Sequence, residues 1–119
     1  MVHQLSIFDL ELKRGSTTLA IEVKGWPKTT YQRGPKKGQP KPTQPTVQAK
    51  HWFAEAFLSL VRLHTRRPDV ALAMALPDYP RYRKLLEGTK WAFERLGFGL
   101  FMVDKDGAVA TVVEPGRES

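Results

Sequence analysis

The chain reads as an α/β domain with a mixed central β-sheet flanked by helices, and three observations carry that reading. Two alternating segments near the start, 4–12 and 18–24, are separated by the turn residues Arg14-Gly15-Ser16. Two amphipathic stretches, 46–64 and 80–96, have the three- and four-residue apolar spacing of helices. Between them Val70 to Leu76 is a continuous apolar run of strand length.

The first alternating segment puts Ile7, Asp9, Glu11 and Lys13 on one face and Phe8, Leu10 and Leu12 on the other. The second puts Thr18, Ala20, Glu22 and Lys24 against Leu19, Ile21 and Val23. Together they form a hairpin whose charged side chains share one face, and the apolar face is expected to bury against the helix layer. Residues 25–46 then break the pattern with five prolines, three glycines and no acidic residue, so this basic loop interrupts a single domain of 119 residues. Thr46 is the expected N-cap of the first helix, whose stripe is Ala49, Phe53, Ala56, Phe57, Leu60 and Val61. Gln48, His51, Glu55, Ser59 and Arg62 lie toward the other side. Val70 to Leu76 is expected to be an interior strand covered on both faces, ended by Pro77. In the second helix Tyr82, Leu85, Leu86, Thr89, Phe93 and Leu96 share a face, and Gly97 stands at the C-terminal cap. Residues 98–103 and 108–113 complete the sheet as strands joined by Asp104-Lys105-Asp106-Gly107.

Composition narrows the chemistry. Nineteen Lys and Arg against twelve Asp and Glu give a net charge of +7, which favours polyanionic partners, nucleic acid first. There is no cysteine, so thiolate metal sites, disulfides and Cys nucleophiles are excluded, and a reducing cytoplasm is the expected compartment. No apolar stretch approaches the ~18 residues of a membrane span, so no membrane partner is expected. His51 and His64 are not at metal-ligand spacing, and Trp52 and Trp91 are expected to pack rather than stack on bases.

The hairpin holds the sharpest signal. With the turn centred at Gly15 and Ser16, residues whose numbers sum to 31 face each other, which sets Asp9 opposite Glu22 with Cβ atoms about 4.5–5.5 Å apart. Facing carboxylates repel unless a cation lies between them. Hard oxygen ligands suit Mg²⁺ or Mn²⁺, the Val23 carbonyl can complete the set, and Lys24 adds a positive donor on the same face. The plainer reading of Asp9, Glu22 and Lys24 is a solvated polar face with a cross-strand ion pair.

Asp9 with Glu22-Val23-Lys24 resembles the active site of the PD-(D/E)xK, or restriction-endonuclease-like, nuclease superfamily, and the strand and helix order after the hairpin is similar to its core. Gln48 with Trp52 four residues on is similar to the Gln-x-x-x-Tyr element of the RecB-like branch, with Trp in place of Tyr. The resemblance implies metal-dependent hydrolysis of phosphodiester bonds, in DNA by preference. Asp9 and Glu22 would hold the metal, Lys24 would position the attacking water, and Gln48 would support the metal or the scissile phosphate. Lys28, Arg33, Lys36, Lys37 and Lys41 of the basic loop, with Lys50, would track the phosphate backbone. The core lacks the family's usual N-terminal helix, which a second subunit could supply, so a homodimer is the suggested assembly. The alternative is a catalytically inactive relative that serves as a nucleic-acid-binding or assembly module.

Overall fold

The computed structural model describes residues 10–25, 35, 37–39 and 45–116. Five strands and two helices follow in the order β1 (Leu10–Arg14), β2 (Thr17–Val23), α1 (Pro45–Arg66), β3 (Ala71–Pro77), α2 (Pro80–Leu96), β4 (Gly99–Val103) and β5 (Val109–Val113). They form one mixed sheet in the order β1-β2-β3-β4-β5, antiparallel at its two outer pairs and parallel across β2-β3-β4. The α/β reading and the element order hold.

The hairpin pairs Leu10 with Ile21, Glu11 with Ala20 and Leu12 with Leu19, so its partners do sum to 31. β1 continues through Arg14 and leaves Gly15 and Ser16 as the turn, where Gly15 takes φ 62°, a conformation open to glycine at little cost. β2 begins at Thr17 and ends at Val23, one residue earlier at each end than expected. α1 starts at Pro45, so Thr46 lies inside the first turn and is not the N-cap. Proline suits that position because its fixed φ is helical and its missing N–H would have no partner there. α2 spans Pro80–Leu96 as expected. Gly97 closes it at φ 78°, and the Phe98 N–H donates to the Phe93 carbonyl at 3.0 Å. The Asp104 side chain ties the β4–β5 turn by accepting from the N–H groups of Asp106 and Ala108, both at 2.9 Å, while Gly107 takes φ 90°.

Both parallel crossovers step in the same direction across the sheet, so crossovers of one hand bring both helices to one face. The main core lies there: Ala20, Leu72, Met74, Leu76, Leu100 and Met102 meet Ala49, Phe53, Ala56 and Leu60 of α1 and Tyr82, Leu86 and Phe93 of α2. Phe53 and Phe57 pack on Phe93 with ring centroids 6.1 and 5.4 Å apart, fixing the helices side by side.

This placement overturns one expectation and bears out another. The hairpin face that meets the helix layer is the one with Ala20 and Glu22, whereas Leu10, Leu12 and Val23 on the apolar face stay 45, 47 and 41% exposed. β3 is buried on both faces, as expected of an interior strand, with the helices on one of them. Its other side is closed by a small cluster of Ile21, Ala73 and Ala75 with Leu19 and Phe101, where two alanines leave little area to cover. Alternation in a strand defines two faces; the connections decide which one the helices cover. At the start of β4 the chain returns over that second face: a Cβ on Gly99 would lie 2.5 Å from the Pro115 Cβ and 3.0 Å from its Cα. Within the helices, Val61 and Leu96 of the expected apolar stripes and Trp91, expected to pack, are exposed, while Leu63 joins the core.

Candidate active site

β2 ends on Glu22 and Val23, and the backbone N–H of Lys24 donates to the Ala75 carbonyl at 3.0 Å, so pairing with β3 extends one residue past the strand. The two-residue period puts Glu22 and Lys24 on one side. Their side chains meet there, with Lys24 Nζ 3.5 Å from Glu22 Oε2. Glu22 is only 8% exposed, which is unusual for a carboxylate, and one of its oxygens is sealed from solvent. A buried carboxylate needs a compensating positive charge or donors, and Lys24 supplies charge at the site.

Gln48 lies in the first turn of α1, at the same carboxyl end of the parallel strands, and is 7% exposed with its amide oxygen buried. It therefore faces inward, not toward the solvent side that its helical position suggested. Trp52 is partly buried one turn further on. Val23 is exposed at the end of β2, and Lys37 and Lys50 are exposed. Asp9, Lys28, Arg33, Lys36 and Lys41 lie outside the described residues. So the structure brings together Glu22 and Lys24 and sets Gln48 at the same end of the sheet. Among the described residues no three His, Asp or Glu side chains cluster as metal ligands. The chemistry available to a metal here is the hard oxygen donor of Glu22 beside a cationic Lys24, a donor type that fits Mg²⁺ or Mn²⁺.

The carboxyl ends of parallel strands are where ligands enter open α/β sheets, because both following helices start there and direct their N-termini toward the same space. α2 starts with Pro80 and has no side-chain cap and no acidic residue in its first turn. Arg81, Arg83 and Lys84 stand on that turn, and Arg83 Nε donates to Asp78 Oδ1 at 2.7 Å. Tyr82 is fully buried beside them, and burial, with a smaller effect of nearby Tyr79, pushes its phenol up to about 12. The sequence places Tyr82 on the apolar stripe of α2, and its burial agrees. The basic turn shows in the sequence as a helix start with proline, three cations and no acid. A groove of about 630 Å³ lined by Lys13, His64, Asp69 and Leu72 lies at the opposite end of the sheet and contains none of the candidate residues.

No helix among the described residues is long and apolar enough to cross a membrane. Comparison with protein-family models, curated proteins and solved structures finds no match for this chain.

Proposed function

We infer that this chain is a metal-dependent nuclease with a restriction-endonuclease-like core, acting on DNA, in which Asp9 and Glu22 serve together as the acidic pair. The observation that carries the reading is the buried Glu22 carboxylate paired with the partly buried Lys24 at the carboxyl end of a parallel strand. The hairpin register supports it, since it holds at Leu10 and Ile21, the pair next to Asp9 and Glu22 in the count. Asp9 and Glu22 would hold Mg²⁺ or Mn²⁺, with the Val23 carbonyl as a further oxygen donor. A bound divalent ion acidifies water and offsets charge on a phosphate. Lys24 orients the water and stabilises developing negative charge, and Gln48 supports the phosphate from α1. Lys28, Arg33, Lys36, Lys37, Lys41 and Lys50 carry the non-specific attraction to the nucleic-acid backbone. The proposed assembly is a homodimer.

Plasmid and oligonucleotide cleavage in Mg²⁺, Mn²⁺ or EDTA, with Glu22→Gln, Lys24→Ala and Asp9→Asn alongside the parent chain, tests the reading. Cleavage that needs the metal and falls by about 100-fold or more in each variant is expected. Absent cleavage on every substrate, or cleavage indifferent to EDTA, overturns it.

The alternative, a non-catalytic nucleic-acid-binding or assembly module, draws on the ion pair itself, because Lys24 already offsets the Glu22 charge. It expects salt-dependent binding that is unchanged by Asp9→Asn or Glu22→Gln.

A further inference from the structure

The outer side of α2 is built unlike its buried side. Tyr82, Leu86 and Phe93 are buried toward the core. Lys84, Gly88, Trp91 and Arg95, spaced four, three and four residues apart, fall on the opposite side of the helix, and all four are exposed. They form one line along α2, about 16 Å from Lys84 to Arg95 at the rise of a helix.

Trp91 is the centre of that line. Its side chain is 62% exposed, whereas every other Trp, Tyr and Phe among the described residues is buried or half-buried. Its ring touches no other ring and no cation, and neither Lys84 nor Arg95 has an ion pair. The acids of α2, Glu87 and Glu94, lie on one flank of the line, Glu94 within 3.9 Å of Lys90. The line therefore offers an open indole between two uncompensated cations.

Gly88 is an independent observation. A glycine inside a helix weakens it relative to alanine. The fold does not ask for one here: its φ is not positive, and a Cβ built on it would meet nothing within 4 Å. What the missing side chain leaves is open space one turn from the indole on the same side, where a flat ring has room to lie.

We propose that the outer side of α2 binds single-stranded nucleic acid, with a base stacked on Trp91 and the flanking phosphates held by Lys84 and Arg95. Every base has a π-face, so stacking on tryptophan tolerates any sequence, while cations on either side follow the backbone. A duplex keeps its bases stacked on one another and offers Trp91 none. An apolar protein surface would cover the indole but strand the two cations. The net charge of +7 favours the same polyanion. The Lys84 end of the line lies toward the start of α2, at the end of the sheet that holds Glu22 and Lys24, so a bound strand is led toward the candidate active site. The proposal rests on the nucleic-acid part of the nuclease reading and on none of its catalysis.

The test is the anisotropy of a fluorescein-labelled oligothymidylate titrated with the full chain in EDTA. Trp91→Ala should weaken binding about tenfold and Trp91→Phe by less, with the unfolding temperature of the parent kept in both. Lys84→Ala and Arg95→Ala should each weaken it about threefold and make its dependence on salt shallower. Gly88→Gln should raise the unfolding temperature yet weaken binding about threefold, whereas a glycine without a binding role would move only the first. An abasic oligomer of the same length keeps the phosphates and lacks the rings; the parent should bind it more weakly, and Trp91→Ala as the parent does. Equal affinity of the parent and Trp91→Ala for the oligothymidylate, or an equal loss on the abasic oligomer, overturns the proposal. A dimer in sedimentation that Trp91→Ala abolishes would give this face to a second copy and overturn it too. Since no step needs a metal or Glu22, failure of the nuclease reading leaves these affinities unchanged.

Discussion

The two faces of the sheet are made of similar residues and meet opposite fates. On one face Leu72, Met74, Leu76, Leu100 and Met102 are sealed by Phe53, Phe93 and their neighbours. On the other, Leu10, Leu12, Val23 and Val109 remain exposed around a small cluster of Ile21, Ala73 and Ala75. The difference teaches that apolarity alone does not choose the covered face. Two crossovers stepping the same way do so, and they carry Glu22 under the helix layer with its strand. The carboxylate is buried because it shares a face with Ala20 and not with Ile21.

The comparison can be broken by substitution. Phe93→Ala removes a fully buried ring of α2 that packs on Phe53 and Phe57 of α1, and should cost about 3–5 kcal/mol in chemical unfolding. Leu12→Ala, on the open face, should cost about 1 kcal/mol, because nearly half of that side chain is already in water. Equal losses would mean that the open face is as well covered as the other.

A pH-dependent effect sharpens the contrast within the covered face. The folded-state value of Tyr82 is raised to about 12 from an ordinary 10. The folded chain therefore holds this proton more tightly than the unfolded chain. Its contribution is fully present below pH 10 and is lost as pH rises from 10 to 12, about 2–3 kcal/mol in all. Tyr82→Phe should flatten that alkaline limb in denaturation curves recorded between pH 9 and 12, with stability at pH 7 unchanged or raised. A limb as steep as the parent's would place the titration elsewhere.

Much of this architecture is legible in the sequence because it is local. Pro80 and Gly97 punctuate α2, Gly15 and Ser16 set the hairpin register, and Glu22 and Lys24 meet through the period of a strand. What the sequence hides is what depends on connections between distant elements. The face chosen by the helices, the inward turn of Gln48 and the exposure of Trp91 all follow from where α1 and α2 come to rest, and the Pro115 crossing over Gly99 comes from the chain's return after β5. Of the candidate site, the Glu22–Lys24 half was readable from spacing; its Asp9 half lies outside the described residues.

β1 and β2 are neighbours in sequence, and so are β3 to β5 with α2, whereas β2 meets β3 only across residues 24–70. The Glu22–Lys24 pair stands on that seam, at the Lys24 to Ala75 hydrogen bond. A two-stranded hairpin holds poorly alone, so parting along the seam undoes the hairpin while the helical layer stays packed. Native-state hydrogen exchange should then release the Lys24 amide at a lower free energy than that of Met102, and equal values would show that the sheet opens only as a whole. A chain could thus retain its full helical signal after its carboxylate and ammonium had separated.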